Sequence, residues 1–212
     1  SHGLVALLLG DSTAKDEGRL SLNPLKHLDP LGSVLVPLIL YITTLGQGPL
    51  FGWAKPVPIN PYNFRDQKWG TLKVALAGPL SNFFVAIFFG LIIRFFSFPG
   101  QFSQLLGIIV IYNLLWGFFN LVPIPPLDGS QILFSLLPAR FWEIKEFLSR
   151  WGIFLLLFFI FFGFKFLNVL VFAAYRFLVG WLYFENLLDL ILNFNYADDS
   201  SIGKKGQKEK YS

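Results

Sequence analysis

Between residues 151 and 196 the sequence is apolar almost without interruption, and a run of that length dictates the solvent before any motif is read. A helix that crosses the hydrocarbon core of a bilayer needs about 20 apolar residues. The stretch has room for two such helices, with a break expected at residues 163–168 (GFKFLN). Residues 70–96 and 104–122 have room for one crossing each, residues 31–46 form a shorter run with Pro37 inside it, and residues 1–10 read as the end of another. Composition agrees: 54% of the residues are hydrophobic, 18% aromatic and only 14% charged, an apolar share above and a charged share below those of a soluble domain. The expected fold is an all-α polytopic membrane protein with about five to six transmembrane helices.

Loops and ends supply the polar remainder. Residues 197–212 are polar and basic and are expected to be a disordered tail, and no internal repeat is visible. If each apolar run crosses once, Lys55, Arg65 and Lys68, then Arg140, Lys145 and Arg150, then the tail lysines share one face. The smaller group of Lys15, Arg19, Lys26, Arg94 and Lys165 takes the other. Cytoplasmic loops carry the excess of Lys and Arg, so residues 47–69, residues 129–150 and the tail are expected in the cytoplasm. With no Cys in the chain, disulfides and thiolate metal sites are excluded, and a metal would have to take His, Asp, Glu or backbone ligands. The chain also lacks Met, even at its start, and reads as part of something longer.

Three stretches put polar or irregular backbone where lipid is expected, the first being SHGLVALLLGD at residues 1–11, with His2 at the start of an apolar helix. In NLVPIPPLDGSQIL, residues 120–133, Asn120 closes an apolar run and Pro123, Pro125 and Pro126 forbid helix before Asp128. Irregular backbone at membrane depth is tolerated only inside protein or against a water-filled cavity. An ionisable residue there is a functional candidate, although Asp128 also suits the start of the helix that DGSQIL would form. By the same topology Asp128 returns to the face of His2, and a histidine with an aspartate is a pair that suits zinc. His27 falls on the opposite face and is not expected to join them. The third stretch, FGWAKPVPINPYNFRDQKWG at residues 51–70, has Pro56, Pro58 and Pro61 at spacings that exclude a helix. It reads as a re-entrant or extended loop, with short β structure expected within residues 51–69.

Taken in order, SHGLVALLLGD, GRLSLNPLKHLDPLGS, FGWAKPVPINPYNFR, ALAGPLSN and NLVPIPPLDGSQIL resemble the site-2 proteases, intramembrane zinc metalloproteases, and above all their compact prokaryotic members. In that family the first stretch opens with His-Glu-x-x-His. Both histidines bind zinc from one helical face, and the glutamate is the general base. Ser1 and His2 match the last two residues of this motif, so the first histidine and the glutamate would precede Ser1. The resemblance implies Zn2+ as cofactor, with His2 and Asp128 as ligands. It makes Asn120 a catalytic amide that could donate to the reacting carbonyl, and Asn82 a second recurring asparagine for which packing and catalysis are both open. Lys55, Pro56, Val57, Pro58 and Asn60 match the loop that receives the substrate as an added strand.

The implied function is hydrolysis of peptide bonds within or near transmembrane segments by a protease domain covering residues 1–196 and incomplete at its N-terminus. Its partners would be a membrane-protein substrate and the bilayer of a prokaryotic cell, with no nucleic acid and an oligomeric state left open. Residues 1–212 alone, lacking one ligand and the base, are expected to be inactive. Two other classes stay open: a catalytically inactive membrane scaffold, and a transporter, which would show repeated halves.

Overall fold

The structure is a computed structural model that describes residues 1–180 except residues 22, 47–53, 68, 97 and 99. Among the described residues it is all-α, and the chain divides into two compact units. The first takes Ser1–Gly78 and Gln131–Trp142, the second Pro79–Ser130 and the chain from Glu143.

In the first unit, α1 (His2–Leu8) and the short α2 (Thr13–Asp16) precede a 3₁₀ turn at Pro24–His27 and a π-helical turn at Pro30–Leu35 that runs into α3 (Val36–Thr43). Ala6, Phe64 and Val74 form the core, with Val5, Leu9 and Ile59 packed on it. Gly10, at φ +111°, turns the chain out of α1 directly against the Asn63 carbonyl. A side chain there would be strained and would crowd that carbonyl.

One pairing overturns part of the expected topology. Leu28 and Ala54 form an isolated antiparallel bridge, and the Lys55 N–H donates to the His27 carbonyl at 2.9 Å. Residues 29–53 therefore leave and return to one place, and the apolar run at 31–46 does not cross a membrane once. Pro30–Thr43 is also too short for a span. Lys26 and Lys55, expected on opposite faces, lie on the same one, and His27 joins that face too. Of the β structure expected within 51–69, the described residues hold only this bridge. Residues 55–60 have no regular structure and Pro61–Asn63 form a 3₁₀ turn, so no helix runs through the prolines. Residues 51–53 lie outside the described residues.

Among the described residues, three helical stretches are long and apolar enough to cross a membrane: α4 (Gly70–Phe95), all but the first residue of α5 (Gly100–Asn120), and the continuous run Ala139–Val179. After α6 (Asp128–Leu136), that run comprises a 3₁₀ turn, α7 (Trp142–Phe158), a π-helical turn at Phe159–Gly163 and α8 (Phe164–Val179). The break expected near 163–168 is instead this π turn: a bulge lets one helix continue where a glycine alone suggests a stop. At 41 residues the run is about 60 Å long, about twice the hydrocarbon core. A second crossing in the expected two-helix stretch would have to use residues beyond 180, which lie outside the described residues, as does the tail.

Within the second unit, α4, α5 and α8 share one core of Ala86, Ile93, Leu106, Val110, Leu114, Leu167, Val171, Tyr175 and Val179. Phe83 of α4 meets Phe118 of α5 edge-on at 5.0 Å. At the other end of α4, Arg94 donates to the Phe177 carbonyl of α8 at 2.8 Å. Exposed rings stand on α4 at Phe84 and along the long helical run at Phe154, Phe161, Phe162 and Phe177. Water would not tolerate so continuous an apolar surface, whereas acyl chains do. The molecule is an integral membrane protein.

Candidate active site

His2 opens α1, and its imidazole is fixed by a contact between Nδ1 and the Val74 carbonyl of α4 at 2.8 Å. A carbonyl can only accept, so Nδ1 carries the proton. In the neutral ring the lone pair then sits on Nε2, the form in which a histidine ligates zinc, and a carbonyl on the distal nitrogen is the usual orienting partner of such a ligand.

The residue after His2 brings the proline loop to the same place. A Cβ on Gly3 would lie 3.1 Å from Val57 Cγ1, 2.9 Å from a methyl of Leu20 and 3.3 Å from the Ala14 Cβ. The absence of a side chain at Gly3 therefore lets the loop close on α1. Two residues on, Ile59 packs on the Ala6 core, as the period of two of an extended chain requires. Lys55 and Pro56 are exposed, while Val57, Pro58 and Asn60 are half-buried. His2 and the substrate-loop candidates are thus brought together within one unit.

Asp11 fastens this arrangement, and nothing in the sequence assigned it a role. Its side chain is fully buried. One carboxylate oxygen accepts from the Thr13 N–H at 3.2 Å, from the Thr13 hydroxyl and from Asn63 Nδ2 at 2.9 Å. The other accepts from the Asn60 N–H at 2.8 Å. Burial alone would raise the carboxyl pKa, but the hydrogen bonds from Thr13, Asn63 and Asn60 together outweigh it and hold the group below its usual value of 3.8. The local signal was present in GDST, where an aspartate two residues before a threonine makes a turn at a helix start. Its partners at 60 and 63 were not visible from there.

In the second unit the proline segment after α5 makes a tight path. The Ile124 N–H donates to the Val122 carbonyl at 2.8 Å, Leu127 to Ile124 at 3.0 Å, and both the N–H and the hydroxyl of Ser130 to Leu127 at 3.0 and 2.7 Å. The Pro125–Pro126 peptide is cis. Asp128 is half-buried and begins α6, where a carboxylate suits the positive end of the helix dipole. Gly129 explains the Asp-Gly pair, since a Cβ there would fall 2.3 Å from the Leu121 carbonyl oxygen. On the far side, a Cβ on Gly152 of α7 would lie 2.7 Å from the Pro125 carbonyl oxygen. Two glycines thus clamp the segment that carries Asp128. Asn120, half-buried, ends α5. Asn82 precedes Phe83, whose ring abuts Gly117 and Phe118, so both asparagines lie at one level of the α4–α5 pair.

Among the described residues no three His, Asp or Glu side chains form a group able to hold a metal ion. His2 belongs to the first unit, and Asn82, Asn120 and Asp128 belong to the second. His27 is placed otherwise, with Nε2 on the Ser21 carbonyl at 2.8 Å.

Residues 97–159 match the model of Peptidase family M50. The protein named "Putative zinc metalloprotease YwhC" of Bacillus subtilis is 40% identical over 147 residues, 65% of this chain and 63% of that protein. "Zinc metalloprotease MJ0392" of Methanocaldococcus jannaschii is 33% identical over 92 residues, 42% of this chain and 27% of that protein. "Putative zinc metalloprotease Rip2" of Mycolicibacterium smegmatis is 29% identical over 172 residues, 71% of this chain and 63% of that protein. The chain therefore spans less than two thirds of each of these relatives. No solved structure matches it. By the segment that carries Asn120 and Asp128 the chain matches peptidase family M50, that of the site-2 proteases, and by its relatives it is similar to proteins named zinc metalloproteases.

Proposed function

We propose that the whole protein to which these residues belong is an intramembrane zinc metalloendopeptidase that cuts transmembrane segments of other proteins. The observation that carries this is the His2 imidazole, held by the Val74 carbonyl in its metal-binding tautomer beside a non-helical proline loop. His2 and Asp128 serve as two ligands, and the third is a histidine from outside residues 1–212. Zinc, when bound, polarises the scissile carbonyl and makes water acidic enough to attack near neutral pH.

The remaining work falls to the chain. A transmembrane substrate hides its peptide groups in helical hydrogen bonds and must unwind before it can be cut. Residues 55–60 receive the unwound stretch: Val57 and Ile59 anchor the loop inward, and its exposed backbone edge is offered to an added strand. Asn120 donates its amide to the carbonyl oxygen as negative charge grows there. The base in this reading is the glutamate of the His-Glu-x-x-His motif.

The topology supports a single active face. The Leu28–Ala54 bridge returns residues 29–53 to their start, which supports one side for Lys15, Arg19, Lys26, Lys55 and Arg65, and single crossings by α4 and α5 would return the chain to that side before Arg140 and Lys145. Arg94 is left at the other end of α4. The excess of basic residues assigns the first face to the cytoplasm, in a prokaryotic cell membrane. One crossing by the long helix brings Gly180 to the opposite face, so a cytoplasmic tail needs a further crossing by residues beyond 180.

Metal analysis alongside cleavage of a transmembrane substrate by the full-length protein tests the proposal. His2→Ala and Asp128→Ala are expected to lose both zinc and activity. Asn120→Ala is expected to keep zinc while turnover falls by about 10²–10³. Full zinc content in both ligand variants would sink the assignment.

A further inference from the structure

The first unit contains a second polar site, which shares only Lys55 with the substrate loop. Glu17, Gly18, Arg19, Lys26 and Lys55 line an open cavity of about 420 Å3. Arg19 is only 7% exposed. Its Nη1 donates to the Lys26 carbonyl, while Nη2 is sealed from solvent without a hydrogen-bond partner. A buried guanidinium donor without an acceptor is costly. The Lys26 ammonium reaches over Gly18, 3.9 Å from where a Cβ would stand. The bridge at Leu28 and Ala54 holds the Lys26 and Lys55 segments side by side. Three cationic residues thus line one hollow against a single carboxylate, and one guanidinium nitrogen, Nη2 of Arg19, lacks an acceptor.

We infer that this cavity receives the phosphate group of an anionic phospholipid. Phosphate is the acceptor that a guanidinium sharing a cavity with two lysines fits, since it can take paired N–H donors and tolerates the remaining charge. The lipid source follows from what adjoins the cations. Leu25 and Leu28, on either side of Lys26, are 71% and 46% exposed, and the chain then enters Pro30–Thr43, where Leu31, Val34, Leu38 and Ile42 are all more than half exposed. A phosphate held by Arg19 and Lys26 would lay its acyl chains along this surface. An acidic peptide would fill the hollow and leave that surface bare.

The test uses the full-length protein in phosphatidylcholine nanodiscs. Phosphatidylglycerol retention is read by native mass spectrometry, and inorganic phosphate binding by equilibrium dialysis. Phosphatidylglycerol is expected to be retained over phosphatidylcholine. Lys26→Gln, an exposed position that leaves the backbone carbonyl to Arg19, should weaken retention about fivefold, the effect of one charge near an anionic surface. Arg19→Lys, which keeps the charge but loses the paired donors, should weaken it by about tenfold, with thermal unfolding checking that this variant folds. Equal retention of both lipids, or retention unchanged in Lys26→Gln and in folded Arg19→Lys, overturns the inference. So does saturable inorganic phosphate binding without lipid preference, which makes the site one for free phosphate, or displacement of phosphatidylglycerol by a glutamate-containing peptide but not by other anionic lipids.

Discussion

Four donors converge on the two oxygens of Asp11, and two of them come from the far side of the proline loop. Asp11→Asn keeps the size but turns one oxygen into a donor, setting it against the Asn60 or the Asn63 N–H. A cost of about 1–3 kcal/mol is expected, read as a lowered unfolding temperature in detergent. Because the folded-state pKa lies below the usual 3.8, the stabilisation from this carboxylate is complete above that value and is lost as pH falls below it through the folded pKa. Acid unfolding of the Asp11→Asn protein should lack this component. Gly129 makes a complementary case. Gly129→Ala drives a methyl into the Leu121 carbonyl, so a loss of about 1–3 kcal/mol from overpacking is expected. Zinc content of the full-length protein should fall with it although Asp128 is untouched. The motif around Gly129 was legible as a pattern of letters, but its reason, a carbonyl with no room above it, exists only once the proline segment has folded back. Asp11 was not legible as a hub because the residues that bind it lie some fifty positions away.

At the scale of elements, the apolar runs of α4 and α5 were read correctly because lipid imposes both length and composition on a span. The same rule misjudged residues 31–46, where composition resembles a crossing and only the pairing of Leu28 with Ala54 reveals an out-and-back path. It also placed a stop near Gly163, where a π turn carries the helix on. The pairing can be tested directly, since the chain has no cysteine of its own. Cα atoms of antiparallel partners stand about 4.5–5.5 Å apart, inside the range a disulfide spans. Leu28→Cys with Ala54→Cys should therefore oxidise within one chain, detected as a linked peptide by mass spectrometry. A crossing at 31–46 would keep the two thiols apart and give none.

For the whole molecule, the corrected path gathers basic residues from before and after the excursion on one face. Cysteines introduced singly at Glu17, Gln67 and Arg140 should react with an impermeant maleimide from the same side of sealed vesicles, and one at Gln101 only from the other. Labelling of Glu17 and Gln67 from opposite sides would restore the single crossing. The family resemblance was carried by motifs whose spacing survives in the sequence, while the joining of loop, α1 and α4 rests on contacts of Gly3, Asp11 and Val74 that no spacing encodes. The touching ends of residues 29–53 have one more consequence. A segment whose two ends are already fastened together is free to change in length, since doubling a closed loop costs only about 0.6 kcal/mol in chain entropy. Insertions and deletions can therefore accumulate between Leu28 and Ala54 without disturbing His2 or its contact with Val74, which makes this excursion a place where related proteins can diverge in length.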